Sequence, residues 1–154
     1  MARAKTPKRF HRPDFRYQDL RVTRLIHYVM EDGKKVMASR IVYRALDLAT
    51  AKSEIPALEL FEKACQAVTP EVEVRARRIG GANIQVPREV RPARALQLCL
   101  RWLLLAARAR SEKSMELRLA HELVAAANGE GGAVKKRLQS HKAAKSHRAY
   151  SHLR

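Results

Sequence analysis

A mainly α fold is predicted: a compact bundle of about six helices, one long β-hairpin between helices 3 and 4, and a basic N-terminal arm. Three observations predict it. Successive stretches carry apolar residues at helical i, i+3, i+4, i+7 spacing, most of them bounded by Gly or Pro. One segment, residues 72–90, instead alternates on either side of a Gly-Gly pair. At 154 residues and 46% hydrophobic content, the chain is long enough for one domain, 1–154, with a modest core.

Residues 1–16 read as the arm, with Phe10, His11 and Phe15, then Tyr17, interleaved among cations such as Lys8 and Arg9. Such a terminus is commonly a disordered tail. The rings and charge favour a segment that orders on RNA, cations on phosphates and rings on bases. Helices 1–3 occupy 17–70. The first runs from about Tyr17 to Glu31, with Val22, Leu25, Ile26, Val29 and Met30 on one stripe, and Asp32-Gly33 stops it. The second, about Val36 to Lys52, turns Ala38, Ile41, Val42, Ala45, Leu46 and Ala49 inward. The third opens near Pro56, buries Leu58, Phe61, Ala64, Cys65 and Val68, and ends at Pro70.

The hairpin spans 72–91, its strands Val72–Ile79 and Ile84–Val90 joined by Gly80-Gly81-Ala82-Asn83. Arg75, Arg77, Arg78, Arg88, Arg91 and Arg94 stand there against Glu89, so the ribbon does not read as a buried sheet. Helices 4 and 5 fill 92–130. Pro92 starts the fourth, which runs to about Arg110 with Leu96, Cys99, Leu100, Leu103, Leu104 and Ala107 at the centre of the core. Ser114 caps the fifth, which turns Leu117, Ala120, Leu123, Val124 and Ala127 inward before Asn128-Gly129. Residues 131–154 form a basic C-terminal helix and tail. The helix follows Gly131-Gly132, has little apolar pattern beyond Val134, and is expected to lean on a partner.

The net charge is +17 and the isoelectric point near 10.8. Residues 1–24, 75–110 and 135–154 hold 24 of the 32 Lys and Arg residues but only 3 of the 15 acids. The basic surface is therefore zoned, and self-repulsion opposes compaction unless a polyanion neutralises it. All nine cations of 75–110 are Arg, which favours bidentate phosphate contacts and stacking over diffuse attraction. Lys34-Lys35 and Lys135-Lys136-Arg137 place further cations at helix starts, where phosphates bind well.

Other classes find less support. Cys65 and Cys99 lie inside helical patterns and read as buried small hydrophobes, not a disulfide scaffold or metal pair. The longest apolar run, around Leu103–Ala107, falls far below the roughly 20 residues that span a bilayer, so no membrane is expected. The N-terminus has no apolar centre that would make a signal peptide, and Pro7 and Pro13 oppose an amphipathic presequence helix. The six histidines show no metal spacing, so no metal and no cofactor are expected. His121-Glu122 reads as ordinary helix surface, and Glu71 and Glu73 as salt-bridge partners rather than an acid/base pair. An RNA-processing enzyme lacks the carboxylate or histidine cluster it would need. A groove-binding DNA protein remains a second reading of the ribbon, although no helix-turn-helix accompanies it.

Ten motifs in register from about Leu20 onward carry a resemblance. They are Asp32-Gly33-Lys34-Lys35; Ile41-Val42-Tyr43; VRARRIGG from Val74 to Gly81; Gln85-Val86-Pro87; Glu89-Val90-Arg91-Pro92; Arg101-Trp102; Lys113-Ser114-Met115; LRLA from Leu117 to Ala120; AVKKR from Ala133 to Arg137; and Arg148-Ala149-Tyr150-Ser151-His152. Together the chain resembles the family of the seventh protein of the small ribosomal subunit, in its bacterial and organellar form. It departs at Leu138, Gln139 and Lys145, where many relatives carry acids.

The resemblance implies a non-catalytic constituent of the ribosome, in a bacterial cytoplasm, mitochondrion or chloroplast. It implies binding to the 3′ major domain of the small-subunit rRNA and help in nucleating assembly of the head. It also implies a hairpin near exit-site tRNA and mRNA, and neighbouring small-subunit proteins as partners. Carried over by motif, the RNA contacts would be Lys34, Lys35, Arg75, Arg77, Arg78, Arg91, Arg94, Arg101, Arg108, Lys113, Lys135, Lys136 and Arg137. The arm adds Lys8 and Arg9, and the hairpin Arg88.

Overall fold

The computed structural model describes residues 12–153; most of the arm, with Lys8 and Arg9, lies outside them. The first helix, α1 (Leu20–Val29), starts three residues later than its apolar pattern suggests. The reason is local. The buried carboxylate of Asp14 accepts the backbone N–H groups of Arg16, Tyr17 and Asp19, and Gln18 takes a left-handed φ of 51°. These bonds make residues 14–19 a turn, an alternative that Asp side chains offer the backbone in competition with helix. Asp19 then caps α1 by accepting the Arg21 N–H.

Next come α2 (Lys35–Ser53) and α3 (Ala57–Val68), with Pro56 as the residue before α3's first turn. Strands β1 (Val72–Ile79) and β2 (Ala82–Glu89) form an antiparallel hairpin. Then α4 (Pro92–Arg108) starts on its proline, and α5 (Met115–Ala127) is capped by the Ser114 hydroxyl accepting the Leu117 N–H at 3.4 Å. Helix α6 (Gly131–Ser146) and a short 3-10 helix (Arg148–Leu153) close the described chain. The expected mainly α fold, with a hairpin between the third and fourth helices, is what the chain adopts.

The core joins all six helices. Val22, Leu25, Val42, Leu46, Phe61, Leu100, Leu103, Leu119 and Leu123 are wholly buried in it. Helix α4 has the expected inward face, with Cys99, Leu100, Leu103 and Ala107 at zero exposure. Two faces are rotated from expectation. Leu60 is buried in α3 where Leu58 is only partly so. In α5, Leu119 and Ala126 point inward, while Val124 and Ala127 are half-buried. Helix α5 packs against α2, α3, α4 and α6, so more than one side of it is covered and a single stripe does not describe it. Cys65 and Cys99 are free and buried, the Cys99 Sγ lying 3.6 Å from the Cys65 carbonyl oxygen.

The hairpin turn is shorter than its sequence suggested. Only Gly80 (φ 57°) and Gly81 (φ 87°) form it, and Ala82 and Asn83 already pair with Ile79 and Arg78. Two successive positive φ angles match the right-handed twist of the strands, so two glycines suffice and no wider loop is needed.

The ribbon is also not uniformly exposed. Val86 (3% exposed) and Pro87 are buried at its base, where β1 meets α6 and β2 meets the terminal 3-10 helix. The Ser140 hydroxyl donates to the Val72 carbonyl (3.4 Å), and the Glu71 N–H donates to His141 Nε2 (3.2 Å). A two-stranded ribbon is marginal in water by itself, and these contacts anchor it. The same contacts correct the expectation for α6. Although it buries only Ala133, Val134 and Ala144, it packs on α4, α5 and β1 of its own chain.

Candidate nucleic-acid interface

Period-two alternation sorts the hairpin side chains onto two faces. The register places Glu73, Arg75, Arg77, Ile84, Val86 and Arg88 on one face and Val72, Val74, Arg78, Gln85 and Pro87 on the other. Arg77 and Arg78 are exposed on the half of β1 nearer the turn, and Arg75 is exposed lower on the strand, opposite Val86. Below Arg77 and Arg78, Arg75, Arg88, Arg91 and Arg94 converge with Glu73 on a groove of about 670 Å³ at the foot of the ribbon, where β2 passes into α4. Glu73 holds two of them, Arg75 by a close ion pair and Arg94 at 3.4 Å. Glu73 is thus the salt-bridge partner that its position predicted, and it fixes guanidinium groups while leaving an excess of charge.

A second cluster lies where the α1–α2 connection meets the end of α4. Lys34, the residue before α2, and Arg108, at the end of α4, border a hollow of about 370 Å³ with Met37 and Met115. Lys34 pairs with Asp32 at 3.4 Å and Arg108 with Glu31 at 2.5 Å. All four side chains are exposed, so these pairs contribute little to stability. Lys35 opens the first turn of α2 beside Arg12 on a third hollow.

The remaining candidates do not converge on these three places. Arg101 is exposed on α4, Lys113 on the α4–α5 connection, and Lys135 and Lys136 on the first turns of α6. Arg137 is half-buried, its Nε without a hydrogen-bond partner among the described residues. Neither α2 nor α6 has an acid in its first turn. Cations there oppose the helix dipole, which makes both starts poor for the helix; the α2 start suits an anion, whereas the α6 start already takes the buried Glu122 carboxylate on its Ala133 N–H. Arg12, not among the expected contacts, is brought by the fold to the same hollow as Lys35.

His121 and Glu122 are not ordinary surface, a correction to the sequence reading. Glu122 is 1% exposed, and its carboxylate accepts Arg110 Nε at 2.7 Å and the Ala133 backbone N–H at 2.9 Å. His121 Nδ1 meets Glu112 Oε1 at 2.9 Å, and Arg110 reaches Glu112 at 3.2 Å. Nothing local in the chain signals this, because the partners come from the α4–α5 connection and the next helix. The His121 ring first, then Glu112's own backbone N–H and the Arg110 guanidinium, hold the Glu112 carboxyl down to about 2. A depressed carboxyl stabilises the fold above its ordinary pKa and loses that contribution as pH falls toward the folded value. Between pH 4.5 and 2, then, the melting temperature of E112Q is expected to fall less than that of the wild type. Parallel acid melting curves for the two proteins would contradict this.

Among the described residues no group of three His, Cys, Asp or Glu side chains is placed to hold a metal, and no helix is long and apolar enough to cross a membrane. A helical body with a rooted arginine ribbon and cationic helix starts defines a polyanion-binding protein.

The comparisons with known proteins narrow that class. The family model described as ribosomal protein S7p/S5e matches residues 1–148. Small ribosomal subunit protein uS7 of Cupriavidus metallidurans is 50% identical over 152 residues, covering 99% of this chain and 97% of the relative. The protein of the same name in Variovorax paradoxus is 50% identical over 153 residues, covering 99% and 98%. That of Neisseria meningitidis is 49% identical over 152 residues, covering 99% and 97%. The chain belongs to the ribosomal protein S7p/S5e family. It is a structural, RNA-binding protein of the ribosome and not an enzyme.

Proposed function

We propose that this protein binds the 3′ major domain of the small-subunit rRNA, helps to nucleate assembly of the subunit head, and holds its hairpin near exit-site tRNA and mRNA. The exposed arginines of a ribbon rooted in its own chain carry the reading. A firmly based ribbon delivers guanidinium groups to a fixed place, and fixed cations on converging RNA helices set the angle between them.

In this reading residues 1–154 act as one unit. Arg75, Arg77, Arg78, Arg88, Arg91 and Arg94 contact RNA along and below the hairpin. Lys34, Lys35, Arg108 and Lys113 do so at the bends, and Arg101, Lys135, Lys136 and Arg137 do so along α4 and α6. Lys8 and Arg9 extend the contact through the arm, and neighbouring small-subunit proteins cover other faces. If about 6–10 phosphates are neutralised, affinity falls by roughly 10³–10⁵ between 50 and 200 mM salt. The test titrates the protein into a transcript of the head domain and into an unrelated structured RNA across that salt range. Tighter binding to the head transcript throughout is expected. Equal affinity for both RNAs would reject specific recognition.

A further inference from the structure

Phe15 stands out on the described surface. Its side chain is 97% exposed, the most exposed of the large hydrophobic residues. Yet the backbone beneath it is tightly held. Asp14, immediately before it, takes three backbone N–H groups at 3.1, 2.7 and 2.9 Å, and the Gln18 N–H returns to the Asp14 carbonyl at 3.2 Å. The residue after it, Arg16, grips Asp47 of α2 through two bonds of 2.8 and 2.7 Å and lies 5.2 Å over Tyr17 and 5.8 Å over Tyr43. Thr23 of α1 donates to the Arg12 carbonyl at 3.2 Å. Tyr17 and Tyr43 are therefore committed to internal contacts, meeting edge-on at 5.9 Å. Phe15 is left facing outward from a rigid turn.

Phe15 lines a hollow of about 540 Å³ together with Arg12, Asp14, His27, Lys35 and Tyr43. That volume is of the size that takes a group as large as a nucleotide. The acids of this neighbourhood are spent: Asp14 on backbone N–H groups, Asp47 on Arg16, Asp19 on Arg21. What is presented outward is an aromatic face on a hollow that two cations share.

Resting on the rRNA-binding reading above, we propose that Phe15 is a stacking platform for one unpaired, unstacked base of the rRNA, whose adjoining phosphate lies against Arg12 and Lys35. Every base has a π-face, and single-stranded loops and bulges are where RNA offers it. A turn already fixed by hydrogen bonds has little freedom left to lose when the base arrives, so most of the stacking is realised as affinity. The cations favour RNA over an apolar protein surface as the occupant.

The test compares wild type, F15A, F15W and F15L for binding to the head-domain transcript and to an unrelated structured RNA. Loss of one stacked base predicts about a 5- to 150-fold weaker affinity for F15A on the head transcript. The salt slope should stay unchanged, because no phosphate contact is removed. F15W is expected to restore affinity, and F15L, which is apolar but has no π-face, is expected to fail. F15A binding the head transcript as tightly as wild type would overturn the platform while leaving specific rRNA binding intact. Rescue by F15L would also overturn it, in favour of a merely apolar contact that needs no π-face. Equal affinity of the wild type for both RNAs would instead sink the rRNA reading itself. Helical circular dichroism of F15A should match wild type, since the side chain touches no core residue.

Discussion

Replacing Arg75, Arg77 and Arg78 together with Ala is expected to weaken binding to the head-domain transcript by roughly 100-fold or more, at about 1 kcal/mol for each charge-assisted contact. The helices should be untouched. The salt dependence should become shallower by about three in log–log slope, one for each phosphate contact removed. All three side chains are exposed, Arg75 level with Val86 and the other two beyond the buried base formed by Val86 and Pro87, so their loss opens no cavity. Removing Arg75 still leaves Glu73 on Arg94, so no buried carboxylate is stranded. The matching Lys variant separates charge from shape. It keeps most of the slope and loses the bidentate geometry that a planar guanidinium gives, so its affinity should fall between the two. An unchanged slope in the Ala variant would mean that the ribbon does not meet phosphates. Loss of helical circular dichroism would mean that these side chains support the bundle.

The legible and illegible parts of the sequence separate along physical lines. Helix existence and most core faces follow from periodicity, because burying a stripe is a local demand that one helix states in its own residues. The apolar stripe of α4 reads correctly for that reason, and so does the cap at Ser114. Features that depend on contacts distant in sequence do not read so well. The late start of α1 comes from the Asp14 carboxylate gathering three N–H groups, and the rotated face of α5 from packing on several sides. Burial of the hairpin base depends on α6 and the terminal 3-10 helix, which come after α4 and α5 in the chain. The exposure of the interface arginines was legible from their density and the scarcity of acids. Which of them share a groove was not, since that requires knowing where β2 enters α4.

Glu122 is the sharpest of the illegible features, and replacing it with Ala is expected to lower the free energy of unfolding by about 2–3 kcal/mol. For a chain of this size that is roughly a 5–10 °C drop in melting temperature. Helix α6 begins badly on its own terms. Glu130, the residue before it, makes no capping bond with its side chain, Gly131 and Gly132 open it, and its first turn holds no acid. The missing cap is supplied from α5. Glu122 accepts the Ala133 N–H at 2.9 Å, places a negative charge at the helix start, and takes Arg110 with its other oxygen. The fit is close: a Cβ at Gly131, where φ is 94°, would lie 2.8 Å from Glu122 Oε1. The Ala substitution leaves a buried N–H without an acceptor and a partly buried guanidinium with Glu112 in place of two counter-charges. Gln keeps an acceptor for Ala133 but not the charge, so E122Q should lose less. Hydrogen exchange should localise the damage to the first turns of α6, where Lys135 and Lys136 stand, and rRNA affinity should fall although no RNA-facing side chain has changed. Unaltered exchange there in E122A would show that the helix start holds itself.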